Sequence, residues 1–153
     1  MERASESLAL VVDGASEKQG VFESQHALEL LCLSCGGHLR DLMQMARDTI
    51  NRSQGLPVSE RAVKRAITDF RQAYLRSLQE SEWKFLFEVR QTKSKPNDDD
   101  ERYYALLAKR CILEYCFFDD EGERVLWYDV HPLIYGSKIF KERWAAYAAQ
   151  EQR

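Results

Sequence analysis

The chain has 153 residues, of which 44% are hydrophobic and 31% are charged, a composition typical of a folded protein and not of a disordered one. It contains no run of about 18 apolar residues, so the sequence predicts no membrane-spanning helix and no membrane partner. The formal net charge of −3 is unevenly distributed: residues 38–95 carry 12 Lys and Arg against 7 Asp and Glu, whereas residues 96–130 carry 4 against 10.

The N-terminal residues 1–23 are predicted to be a loosely ordered entry segment, because Ser, Glu and Gly surround a single short apolar run. A helical bundle is predicted for residues 24–78. Its first helix would be capped by Ser24 and would end at Gly36, which follows apolar residues repeated at helical spacing.

The second predicted helix extends from about His38 to Ser53. An apolar stripe recurs along it at helical spacing, and we expect this stripe to be buried; it consists of Leu39, Leu42, Met43, Ala46 and Ile50. Arg40 lies in the first turn, on a different and polar face.

The third predicted helix begins at Glu60, with Ser59 as its N-cap, and continues to Leu78. Its inner stripe comprises Val63, Ala66, Ile67, Phe70, Tyr74 and Leu78. Its outer side is basic and carries Arg61, Lys64, Arg65, Arg71 and Arg76.

Residues 79–136 show the order helix, helix, β-hairpin, which is the order of a winged helix. The second of these helices would start near Asp99, and the hairpin would consist of strands 111–118 and 124–130. The turn between the strands is acidic, with the sequence Asp-Asp-Glu-Gly-Glu. Residues 137–153 are predicted to form a C-terminal helix that Ser137 caps. The predicted fold is therefore mainly α with a small β-hairpin.

Two short motifs in this chain are similar to segments of a known family. The stretch Gly36-Gly37-His38-Leu39-Arg40-Asp41-Leu42 resembles the lid-subdomain signature of AAA-plus ATPases of the origin-recognition and bacterial defence type. The hairpin exit Trp127-Tyr128-Asp129-Val130-His131-Pro132-Leu133 is similar to a Trp-Tyr-x-Val-His-Pro ending in such proteins. Together with the Val63-x-x-Ala66-Ile67 helix, the resemblance covers roughly residues 24–143.

The resemblance implies a helical lid bundle followed by a winged-helix-like subdomain, with Arg40 as the arginine called sensor 2, just past Gly36 and Gly37. No segment fits G-x-x-x-x-G-K-[ST], so the phosphate-cradling loop of an ATPase core is missing. We therefore expect no enzyme activity from this chain alone, and no cofactor bound by it alone. ATP would belong to the parent assembly, and the partner would be an ATPase core domain or subunit.

Other interpretations of the sequence stay open. In one, the chain is a stand-alone winged-helix regulator whose basic third helix contacts DNA through Arg61, Lys64, Arg65, Arg71 and Arg76. The acidic hairpin turn would repel phosphates and instead favours a protein partner. The three His residues have no nucleophile motif near them, so no catalytic triad can be argued.

The four cysteines lie in apolar segments, and the apolar stretch from Leu8 to Val12 is too short for the h-region of a secretory signal, so we expect reduced thiols and a cytoplasmic protein. The alternative is a zinc site in which thiolates from the two pairs come together; its ligands would be Cys32, Cys35, Cys111 and Cys116.

Overall fold

A computed structural model of the chain describes residues 20–96 and 101–151. Within these residues the chain forms seven α-helices and one antiparallel hairpin, so the predicted fold class, mainly α with a small β-hairpin, is confirmed. The helices are α1 (Gln25–Ser34), α2 (Leu39–Arg52), α3 (Glu60–Ser77), α4 (Trp83–Thr92), α5 (Glu101–Ala108), α6 (Pro132–Tyr135) and α7 (Lys138–Glu151), and the strands are β1 (Ile112–Phe118) and β2 (Arg124–Val130).

Helices α1 to α3 form a bundle, and its termini follow the capping residues in the sequence. The Ser24 hydroxyl accepts a hydrogen bond from Ala27 N at 3.1 Å, and that of Ser59 accepts one from Ala62 N at 3.2 Å. Both side chains satisfy a backbone donor that the first turn of a helix leaves unpaired. The bundle core contains Ala27, Leu31, Cys35, Met45, Val58, Val63, Ile67 and Leu133.

The buried face of α2 differs from the predicted one. Leu39, Met43 and Ile50 are 68%, 63% and 43% exposed, whereas the buried residues of this helix are Asp41, Met45 and Thr49. The apolar spacing is present as predicted, but the helix is rotated so that this stripe lies largely in solvent. Leu42 and Ala46 at its edge are half-buried against the bundle core.

The second apolar core lies between α4, α5, the hairpin and α7. It includes the ring of Phe87, which has its centroid 5.4 Å from that of Phe140 and 5.7 Å from that of Trp144. The predicted order helix, helix, hairpin is present as α4, α5, β1 and β2. The predicted caps of α5, at Asp98 or Asp99, and most of the entry segment lie outside the described residues.

In the hairpin, β1 and β2 pair in antiparallel register, from Ile112 opposite Val130 to Phe118 opposite Arg124. The pair Ile112 and Val130 belongs to the second core. The distal half of the hairpin, which is the half next to the turn at residues 119–123, extends into solvent. A Ser137 hydroxyl caps α7 by accepting from Phe140 N at 3.1 Å, as the sequence predicts.

The two cores meet where α6 packs on α3. Leu133 of α6 belongs to the bundle core, while Ile134 beside it belongs to the second core. Across the described ranges, every helix is too short or too polar to cross a membrane.

Candidate functional site

The Gly36-Gly37 turn between α1 and α2 packs against the hairpin and α6. Gly36 has a φ of +61°, and a Cβ at this position would lie 2.5 Å from Leu113 Cδ1 and 2.8 Å from Pro132 Cδ. The Gly36 carbonyl also accepts a hydrogen bond from the Tyr115 hydroxyl at 2.9 Å. Only glycine combines a left-handed backbone with so close an approach. The start of α2 is therefore fixed by residues that lie 77 to 96 positions later in the chain.

Asp41 occupies the inner side of the first turn of α2 and is 3% exposed. Its Oδ2 accepts a hydrogen bond from the Tyr74 hydroxyl of α3 at 2.6 Å, and its Oδ1 lies 3.6 Å from Arg110 Nη2. The N-cap residue of α2, His38, has Nδ1 3.3 Å from the Asp41 backbone N and Nε2 3.3 Å from Arg110 Nη1. A carboxylate at a helix N-terminus also interacts favourably with the helix dipole. Partners from three parts of the chain thus stabilise one buried charge.

His131 completes this buried cluster. Its side chain is fully buried, its ring stacks on that of Tyr74 with centroids 4.4 Å apart, and its Nε2 lies 3.7 Å from Asp41 Oδ2. Nδ1 accepts a hydrogen bond from Leu133 N at 3.1 Å and thereby caps α6. Burial is the main cause that lowers the pKa of His131 to about 4, although the Asp41 carboxylate opposes the shift. The ring is therefore neutral at pH 7.

We call Asp41, His38, Tyr74, Arg110 and His131 the Asp41 cluster. It brings together two of the three segments on which the resemblance rests, since Asp41 belongs to the glycine-containing segment and His131 to the hairpin exit. The Asp41 carboxylate and the His131 ring are both enclosed by the protein. The cluster fixes the orientation of α2 relative to α3 and α6. Sequence reasoning missed it, and the only local signal was His38 and Asp41 three residues apart at a helix start.

The outer face of α2 results from this orientation. Arg40 and Arg47, seven residues apart on one side of the helix, are exposed and make no hydrogen bond or ion pair within the described residues. Beside them runs the exposed apolar row formed by Leu39, Met43 and Ile50. We call this surface the α2 outer face. Among the described residues, it combines guanidinium groups that have no polar partner with apolar side chains that are largely exposed.

The predicted basic residues of α3 divide into two groups. Arg61, Lys64 and Arg65 are exposed and line an open groove at the start of the helix, and Arg76 is exposed in its last turn. Arg71 is half-buried: its Nε donates to the Leu133 carbonyl at 3.0 Å, and desolvation lowers the pKa of its guanidinium. The structure therefore places Arg71 at the contact between α3 and α6 and not among the three basic residues that line the groove.

The four cysteines do not converge. Cys35 and Cys111 are buried in different cores, Cys32 is half-buried and Cys116 is exposed on β1. Throughout residues 20–96 and 101–151 no group of three or more His, Cys, Asp or Glu side chains could hold a metal ion. The four-thiolate zinc alternative is therefore not formed in this structure. Burial raises the pKa of the Cys111 thiol, which is consistent with an inert core cysteine.

No protein-family model matches the chain, and neither a curated protein nor a solved structure does. The function must therefore be argued from the geometry of these residues.

Proposed function

We propose that this chain is a non-catalytic binding module that docks its α2 outer face on the nucleotide-binding core of an AAA-plus-type ATPase. In the docked complex, Arg40 would contact the terminal phosphate of a nucleotide that the other polypeptide supplies. The observation that carries the proposal is the α2 outer face itself, where exposed apolar side chains lie beside guanidinium groups that have no partner in the part of the chain that the structure describes.

Two properties of this face favour a protein surface over water. Leu39, Met43 and Ile50 align along one side of the helix, and removing their exposed apolar surface from water favours docking by about 25 cal/mol per Å² buried. The buried hydrogen bonds and ion pairs of the Asp41 cluster also hold this helix at a fixed angle. A rigidly presented helix face loses little conformational entropy on docking.

The place of Arg40 favours the phosphate-sensing role. It lies in the first turn of α2, directly after a glycine turn whose position is set by Leu113 and Pro132. The turn fixes the backbone from which the exposed Arg40 side chain extends, and a guanidinium group that reaches a transferring phosphoryl group can stabilise its negative charge. Arg47, two helical turns further along α2, would add a second positive charge.

The hairpin supplies a second contact for a protein partner. Its distal half exposes Phe117, Phe118 and Leu126, of which Phe118 is 71% exposed. The adjoining turn carries four carboxylates within residues 119–123. Exposed aromatic side chains beside a dense negative charge are complementary to an apolar protein surface that is surrounded by Lys or Arg. The negative charge repels both nucleic acid and an anionic membrane.

The test uses the tagged full-length chain expressed in its native host and purified in the presence of ATP. Wild type is compared with Leu39→Asp/Met43→Asp, whose substitutions lie on exposed positions and leave the Asp41 cluster intact. We expect wild type to retain a polypeptide that contains a Walker A motif and the variant to lose it. If neither protein retains such a polypeptide, or if both retain it equally, the proposal is wrong.

A second measurement addresses catalysis. Isothermal titration of ATP into the isolated chain should show no tight binding, because the chain lacks a phosphate-binding loop. Micromolar affinity accompanied by ATP turnover would refute the non-catalytic assignment.

A further inference from the structure

An open groove lies between the connection from α2 to α3 and the first half of α3. It has a volume of about 1480 Å³. Four basic side chains line it, Arg52, Arg61, Lys64 and Arg65, together with two carboxylates, Glu60 and Asp69. We call it the α3 groove. The proposed docking of the α2 outer face does not use it.

The charges in the α3 groove are not all neutralised within the chain. Arg52 pairs with Asp69, and Lys64 pairs with Glu60 one helical turn away. Arg61 and Arg65 are exposed and have no ion pair or hydrogen-bond partner in residues 20–96 and 101–151. Both carboxylates are therefore already engaged, and two guanidinium groups remain available to an anion.

The geometry of the groove favours an extended polyanion over a small ligand. Small-molecule sites are mostly apolar clefts of about 300 to 1000 Å³, whereas this groove is larger, open to solvent and lined mainly by polar side chains. Arg61 and Arg65 are four residues apart in a helix, which places them about 6 Å apart along its axis. Successive charges along a strand can therefore meet successive guanidinium groups.

The lining also indicates which part of a nucleic acid would be contacted. Among the described residues that line the groove, none is an aromatic side chain on which a base could stack, and the apolar ones are Pro57 and Ala62. Guanidinium groups can hold phosphate oxygens through two parallel hydrogen bonds. An acidic peptide would offer carboxylates too, but peptide recognition normally adds apolar pockets for side chains, and this lining lacks them.

We propose that the α3 groove binds the phosphodiester backbone of nucleic acid, without base specificity, through Arg61 and Arg65. The chain as a whole is negatively charged, so its overall charge does not attract nucleic acid. The acidic hairpin turn is excluded from the contact by repulsion. The site would therefore be local to α3 and separate from the hairpin.

The experiment is a fluorescence anisotropy titration of the full chain against labelled oligonucleotides of mixed sequence, single-stranded and duplex, at several salt concentrations. Two phosphate contacts predict a slope of log K against log salt of about −1.4 for single strands and about −1.8 for duplex DNA. The variant Arg61→Ala/Arg65→Ala should lose about tenfold in affinity at low salt and nearly all of the slope. Both side chains are exposed, so the variant should fold normally.

The matched control is Lys84→Ala/Lys141→Ala, which removes the same charge from exposed positions of α4 and α7 and should keep the wild-type slope. Absence of binding to either oligonucleotide at low salt would overturn the proposal, and so would an equal loss in the two double variants. Displacement of the oligonucleotide by polyglutamate at equal charge concentration would also overturn it, because the groove would then be a site for acidic protein. Since the proposed function is tested on the α2 outer face, either proposal can fail while the other stands.

Discussion

His131 makes the stability of this chain depend on pH in a way that can be calculated. The imidazole is neutral and enclosed in the folded state, where burial lowers its pKa to about 4 from a usual value of 6.5. The groups that face it are the Asp41 carboxylate, which favours its protonation, and Arg110 and His38, which oppose it, while Tyr74 stacks on its ring. The unfolded chain therefore binds a proton more readily than the folded one between pH 6.5 and pH 4.

The sign and size of the effect follow from this difference. Where the unfolded state binds more protons, the free energy of unfolding rises with pH. The contribution of His131 is thus fully present above pH 6.5 and is lost as the pH falls towards 4. The two pKa values give a loss of about 2 kcal/mol between pH 7 and pH 5, and about 3 kcal/mol in total.

The assay is urea unfolding at pH 7 and pH 5, followed by tryptophan fluorescence, for wild type and His131→Asn. Asparagine retains an oxygen that can accept from Leu133 N, but it does not titrate. Protonation of other carboxylates affects both proteins, so the difference between their pH dependences isolates His131. We expect the stability of the variant to fall by about 2 kcal/mol less than that of wild type.

The exposed residue His26 provides the control, because His26→Asn removes an imidazole that is largely in solvent. This variant should follow the wild-type pH dependence. If His131→Asn also follows it, or if wild type is more stable at pH 5 than at pH 7, the account of a neutral buried imidazole is refuted.

Three further predictions concern the surroundings of the α2 helix and the thiols. Gly36→Ala should destabilise the protein by about 2 to 4 kcal/mol in urea unfolding, because it adds a clash with Leu113 to a left-handed backbone. Gly122→Ala is the control: this position has a φ of +82° but open space around it, so the substitution should cost only about 1 kcal/mol. Equal costs for the two variants would contradict the close packing at Gly36. Tyr74→Phe should cost about 2 kcal/mol in the same assay, because it removes a donor to a buried carboxylate, and a loss under about 0.5 kcal/mol would mean that this hydrogen bond does not hold α2. In native protein a maleimide should label Cys116 first, and the two buried cysteines only after unfolding; early labelling at a buried position, located by mass spectrometry, would contradict the core packing.

Much of the fold was predictable because its signals are local. Ser24, Ser59 and Ser137 each cap the helix that follows them, and the acidic Gly122-containing turn joins two strands of matching length. Caps and turns depend on residues a few positions apart, so a single sequence contains the information.

The orientation of α2 could not be predicted in the same way. Its sequence offers an apolar row with Leu39, Met43 and Ile50, and burial of that row is the expectation from periodicity alone. The helix instead buries Asp41, because Tyr74 and His131 reach it from positions 33 and 90 residues later. Such long-range polar contacts leave no periodic signal, and the resulting exposure of the apolar row is the observation on which the proposed docking depends.

The most direct test of the central claim is photo-crosslinking from the α2 outer face in the native host. A benzophenone amino acid replaces Met43, which is 63% exposed, and a second protein carries it at the exposed position Lys141 of α7 as a control. The account predicts that Met43 crosslinks to a polypeptide with a Walker A motif, that the crosslink depends on ATP, and that Lys141 gives none. A crosslink from Met43 only to proteins without a nucleotide-binding core would contradict it.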